Sequence, residues 1–176
     1  MSIKAYFIPR TMPTPAIAVT TPGRAFILVI LLVACELAAG QSPRYVKKYK
    51  PLADSLSAVY GIPAAIILGV AIMESGAGGS RNCKLLNNHF GIVGKNNLLR
   101  TKGIKTRYKQ YPDAQASYMD FCRVIKKKKF YKKLKDNMDY KLWADAISKT
   151  GYSEIPVEWK KRVIATIEKN KLSASQ

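Results

Sequence analysis

The chain has 176 residues, with 30 Lys and Arg against 11 Asp and Glu and a formal net charge of +19 at pH 7. That length holds one domain with a real core and needs no second. One His and three Cys, at no zinc-binding spacing, give a metal site no support, and no cofactor is expected.

Residues 25–34 (AFILVILLVA) form a short apolar block, preceded by Lys4, Arg10 and Arg24 and followed by Ala38-Ala39-Gly40. This is the pattern of a secretory signal, too short to span a bilayer as a stable helix. Cleavage after Gly40 makes residues 1–40 a signal peptide and residues 41–176 the mature domain. A rival reading takes Leu32-Val33-Ala34-Cys35 as a lipobox, in which case Cys35 is retained and tethers the domain to a membrane. Both place the protein outside the cytoplasm, in the periplasm, cell envelope or medium.

Removing residues 1–40 leaves 27 basic and 10 acidic residues, a charge of +17. Such a surface suits polyanionic partners such as cell-wall polymers. The run Lys126-Lys127-Lys128-Lys129-Phe130-Tyr131-Lys132-Lys133 interleaves charge with aromatics as nucleic-acid binders do. Export argues against that partner, and lysines that complement a helix C-terminus account for the run.

Arg44–Tyr60 reads as a first helix, entered or bent at Pro51. Gly61–Met73 then reads as a helix apolar on nearly every face, with Pro63 in its first turn. A helix of that kind is buried. Glu74, the first charge after this run, sits just before the stop Gly76-Ala77-Gly78-Gly79. Desolvation and the negative helix end both disfavour its ionised form, so its pKa rises, the property that a general acid working near neutral pH needs.

Gly94–Tyr111 lacks helical periodicity and reads as a loop or small hairpin. Asp113 caps a helix bearing Ala116, Tyr118, Phe121, Cys122 and Ile125. Another helix covers about Tyr140–Lys149, and a last one about Pro156–Lys171, with Trp159, Val163, Ile164 and Ile167 inward. The expectation is a mainly α fold, five or so helices around one core with a small central hairpin or loop lobe. Cys83 and Cys122 form either a disulfide or two buried thiols.

Four blocks occur in order: Ile62-Pro63-Ala64-Ala65 through Ala71-Ile72-Met73-Glu74-Ser75-Gly76-Ala77-Gly78-Gly79-Ser80; Asn87-Asn88-His89-Phe90-Gly91-Ile92; Tyr108-Lys109-Gln110-Tyr111 with Ala116-Ser117-Tyr118-Met119-Asp120-Phe121; and Gly151-Tyr152-Ser153. Together, over about residues 45–170, they resemble glycoside hydrolase family 73, the endo-β-N-acetylglucosaminidases related to the flagellar muramidase domain. The resemblance implies an α+β lysozyme-like fold, a monomer without cofactor, and cleavage of the β-1,4 bond of peptidoglycan after N-acetylglucosamine. It implies Glu74 as catalytic acid, Tyr152 as a second catalytic residue, and Ser75, Asn88, Phe90, Gly91 and Tyr118 as substrate-binding. Phe90 reads as core in preference to a stacking face, because aromatics at a helix–loop junction usually pack, and the lone His89 reads as structural.

The chain departs from the family pattern in two places. The terminal motif, resembling Tyr-Ala-Thr-Asp-Pro, runs here Tyr152-Ser153-Glu154-Ile155-Pro156, with Ile155 at the acidic position and Glu154 as a substitute whose side chain points elsewhere. The central lobe, Ser75 to Pro112, contains no Asp or Glu. A two-carboxylate mechanism based on that lobe is excluded unless Asp113 folds back. What remains is Glu74 as acid with the substrate's own 2-acetamido group as nucleophile. The alternatives are a lytic transglycosylase, which also uses one glutamate, and a binding module without catalysis.

Overall fold

The computed structural model describes the backbone of residues 23–173 and the side chains of residues 42–173. The signal-peptide and lipobox readings, Cys35 included, therefore fall outside the described side chains. The chain divides into residues 1–35 and 36–176, and the packing and the site described below belong to the second unit. Among the described residues the elements are α1 (Gly23–Tyr60), α2 (Ala64–Ser75), α3 (Arg81–Leu86), α4 (Leu98–Lys102), α5 (Ala114–Lys126), α6 (Tyr131–Leu134), α7 (Tyr140–Ser148) and α8 (Pro156–Lys169). No described helix is long and apolar enough to cross a membrane.

The centre is α2, whose residues Ala65 to Ile72 are all buried. It packs chiefly on α8 and also on α7. Gly69 permits the close approach to α8, since a Cβ there would stand 2.5 Å from Ile167 Cγ1. Replacing it would push the two helices apart. Helix α2 ends where the sequence predicts, at Gly76 in the left-handed conformation (φ 55°), whose N–H returns to the Ile72 carbonyl. Helix α5 begins at the predicted cap, with Asp113 Oδ1 accepting from the Ala116 N–H at 2.7 Å.

Two expectations are corrected. Helix α1 does not begin at Arg44 but already contains that residue, with Pro43 and Pro51 both inside it. The central lobe takes the loop alternative, with one antiparallel bridge, Val93 with Tyr108, flanked by Gly94 N–H to Arg107 O and Lys109 N–H to Ile92 O, but it also holds the short helix α4, where the sequence shows no helical periodicity. Side-chain amides do the work that a strand ladder would otherwise do. Asn96 Nδ2 donates to the Thr106 and Tyr108 carbonyls, and Asn87 Nδ2 to those of Tyr111 and Pro112. Lys109 and Tyr111 both bind Asp120 Oδ2 at 2.7 Å, fastening the lobe to α5. Asp120 loses some solvation there, but the bonds from Lys109 and Tyr111 outweigh that and hold its carboxyl below the usual range.

Candidate active site

Glu74 stands in the last turn of α2, fixed by the turn that follows. The Ser75 hydroxyl is fully buried, donating to the Ala71 carbonyl at 2.6 Å and accepting from the Gly78 N–H at 2.9 Å. Those bonds close the helix end and leave Glu74 pointing off a rigid support. Its Oε1 accepts from the indole Nε1–H of Trp159 on α8 at 2.8 Å. Burial pushes the carboxyl above its ordinary pKa, while the Trp159 bond and the Arg162 charge pull the other way without cancelling it. Gly91, at φ 68°, faces the other oxygen, since a Cβ there would lie 3.6 Å from Oε2. The positive φ favours glycine, and glycine leaves that oxygen uncovered.

The groove onto which Glu74 opens has a volume of about 580 Å³. It is lined by residues 90–93, by Arg107 and Tyr108, by Val124 and Lys128, and by the α7–α8 loop at 151–155. Tyr152 belongs to that loop, and its hydroxyl donates to the Phe90 carbonyl at 2.7 Å. Its ring packs on Trp159, with centroids 5.3 Å apart. Burial and the Glu74 charge push the phenol well above its usual range, so it remains a neutral dipole. A cavity of similar size, about 540 Å³, lies beside Asp54 and Asp136, but lysines pair with both of those carboxylates. Among the described residues no three His, Cys, Asp or Glu side chains converge as a metal site.

The structure brings Glu74, Phe90, Gly91 and Tyr152 to one groove and leaves three expected substrate contacts out of it. Ser75 is consumed by the turn. Asn88 is 1% exposed and saturated, donating to the Ile92 and Lys109 carbonyls and accepting from the Phe90 and Ile92 N–H groups. Its amide braces the lobe and has no free donor for an acetamido group. The Tyr118 side chain is fully buried, with its hydroxyl donating to the Tyr45 hydroxyl at 2.9 Å. Phe90 is core in its side chain, stacked on Phe121 at 4.3 Å, and meets Tyr152 through its carbonyl.

His89 is bonded to the Tyr45 hydroxyl through Nδ1 and wrapped by Tyr49 and Tyr118. Burial, with help from Lys48, pushes its pKa down to about 4. It is a neutral structural ring at pH 7. The disulfide alternative is corrected too, since both cysteines are free and buried. Cys83 Sγ lies 3.5 Å from the His89 ring, whereas Cys122 sits in the core cluster on α5. Asp113, held by its capping bond, does not fold back toward the groove.

Sequence reasoning missed one feature of the site. Trp159 was legible only as an inward residue, although a buried indole N–H needs an acceptor, which was the available signal. Glu154, named from the sequence as a substitute for the acid missing from the terminal motif, is the second carboxylate on the groove, delivered by the α7–α8 loop instead of the central lobe.

A family model described as Glucosaminidase, mannosyl-glycoprotein endo-beta-N-acetylglucosaminidase, matches residues 50–172. The chain belongs to this family. It is the glucosaminidase family, glycoside hydrolase family 73, that the sequence motifs resemble, and the chain is a glycoside hydrolase by that membership. No curated protein matches the glucosaminidase chain. Three solved structures are similar to it. A C-terminally truncated glycoside hydrolase domain of Salmonella typhimurium FlgJ has 18% identity and a TM-score of 0.60, over 74% of this chain and 97% of that one. A peptidoglycan hydrolase mutant from Sphingomonas sp. A1 has 20% identity and a TM-score of 0.58, over 73% and 94%. A chain in a type VI secretion system effector–immunity complex from Pseudomonas protegens has 20% identity and a TM-score of 0.55, over 74% and 93%. At these identities the likeness establishes a shared, mainly helical, lysozyme-like fold.

Proposed function

We propose that this glucosaminidase is an exported peptidoglycan hydrolase that cleaves the β-1,4 bond after N-acetylglucosamine, with Glu74 as general acid. The observation that carries the reading is the half-buried Glu74 carboxyl, raised in pKa, held by Trp159 and opening on a groove. The similarity to a FlgJ glycoside hydrolase domain and to a peptidoglycan hydrolase supports the substrate, and the apolar block at 25–34 supports export.

Cleavage requires a proton on the leaving oxygen as the bond breaks. Glu74 supplies it from the oxygen that Gly91 leaves uncovered. The Trp159 bond then stabilises the carboxylate that remains, so the same contact that limits the rise in pKa also favours the transferred state. The 2-acetamido group of the substrate closes on the sugar's anomeric carbon as internal nucleophile, and water opens that ring in the second step with Glu74 taking the proton back. Tyr152, neutral and fixed on the Phe90 carbonyl, turns its oxygen's electron density toward the developing positive charge. The central lobe contributes no carboxylate, which favours this route over one using a base from that lobe.

Incubating the mature domain with purified sacculi and analysing the products by mass spectrometry tests the reading. The expected products carry reducing N-acetylglucosamine ends, and Glu74→Gln abolishes their release. Reducing muramic acid ends overturn the specificity, anhydro products favour a lytic transglycosylase, and binding without release favours a catalytically silent wall-binding module.

A further inference from the structure

Two cations line the groove without a carboxylate partner. Arg107 comes from the bridged lobe and Lys128 from the turn that follows α5, and neither lies within 4.0 Å of any Asp or Glu among the described residues. Arg107 is exposed and its guanidinium lies 5.8 Å from the centroid of the Tyr108 ring, so an aromatic face steadies it within the groove. Lys128 is half-buried at the same groove. Around them the lobe carries Lys95, Arg100, Lys102 and Lys105 with no acid, and only Lys109 is neutralised, by Asp120. Glu154 also lines the groove but pairs with neither cation.

Neither cation is engaged by a carboxylate of this chain, so each is available to an anion that a ligand brings into the groove. A neutral N-acetylhexosamine polymer supplies none. A glycan whose sugars carry carboxylates supplies one at each substituted residue, within reach of a guanidinium fork or an ammonium. We propose that Arg107 and Lys128 are specificity-determining residues that bind a substrate carboxylate beside the scissile bond, and that the groove thereby selects acid-bearing glycans over neutral ones. This rests on the glycosidase reading above and adds the charge requirement to it. The carboxylate has two sources with one chemistry: the acid on the sugar's own ether substituent in an unsubstituted strand, or an acid on a peptide attached there.

The test compares four substrates: peptide-bearing glycan, the same glycan stripped of peptide, each of these after carbodiimide amidation of its carboxylates, and the last two treated as charge-neutral controls. Amidation removes charge while nearly keeping shape. The comparison is run on the mature protein and on the double variant Arg107→Gln/Lys128→Gln. For the unmodified protein, amidation lowers kcat/KM about tenfold, the size expected from one charge-assisted contact. For the double variant the amidation penalty shrinks to about twofold or less, and the salt dependence on charged glycan flattens. Loss of the penalty on stripped glycan alone identifies the ether acid as the ligand, and loss on peptide-bearing glycan alone identifies the peptide acid; both support the assignment. An amidation penalty of the same size in both proteins, or none in the unmodified protein, overturns it while leaving the glycosidase reading standing. A folded, unmodified protein that cleaves no glycan, charged or amidated, overturns the glycosidase reading and this one with it.

Discussion

Trp159→Phe probes the proton on Glu74 without touching the carboxyl itself. Phenylalanine retains a ring against Tyr152 but removes the Nε1–H that reaches Oε1 at 2.8 Å. A hydrogen bond to a charged acceptor is worth about 1.5–3 kcal/mol, and the half-exposed position of Glu74 argues for the lower end. About 1.5 kcal/mol is roughly a tenfold change in the ionisation equilibrium. The bond favours the carboxylate, so its loss favours the protonated acid. Because a general acid works in its protonated form, the alkaline limb of kcat/KM against pH moves upward, by about one pH unit. The assay is muropeptide release from sacculi across pH, each protein normalised to its own maximum, with thermal unfolding to follow the packing loss of about 1–2 kcal/mol. A limb that stays in place, or moves to lower pH in a folded variant, refutes the argument that Glu74 is the titrating acid and Trp159 its partner.

Three further outcomes are expected. Glu74→Gln lowers activity at least about 10³-fold, and its stability relative to the unmodified protein rises with pH. The folded state holds the Glu74 proton to higher pH than the unfolded chain, so native stability falls as pH climbs from the ordinary carboxylate range through the raised pKa; thermal unfolding of the pair across pH reads this. His89 behaves in the opposite sense: its depressed folded pKa makes its contribution full above about 6.5 and lost as pH falls toward about 4, and His89→Asn removes that component from the acid unfolding curve. Asp120→Asn, which loses the Lys109 ion pair while Tyr111 can still donate to the amide oxygen, destabilises the lobe by about 1 kcal/mol, read as faster amide hydrogen exchange over residues 92–111.

Much of the site was legible because some sequence features leave one physical solution. The run from Ile62 to Met73 has no polar face, so the helix must be buried, and a carboxyl at its end must lose solvent. Gly76 marks the stop, and Asp113 the next start, through bonds made within a few residues. The asparagines were less transparent. Asn88 and Asn96 have the composition of a binding loop, but their amides replace a missing strand ladder, and only the tracing of each donor to its carbonyl separates the two roles. Tyr118 likewise has the pattern of a recurrent aromatic, and its burial against Tyr45 decides that it is core.

By itself the sequence determined that Glu74 ends a buried apolar helix and that the central lobe has no carboxylate, because these follow from local periodicity and composition. Only the tertiary structure decided what meets that carboxyl. Trp159 reaches it across 85 residues of chain, Tyr152 finds the Phe90 carbonyl across 62, and Glu154, Arg107 and Lys128 come to one groove from separate segments. No short-range rule encodes those distances, since they are fixed by how α2 and α8 pack around Gly69 and by where the intervening lobe is fastened.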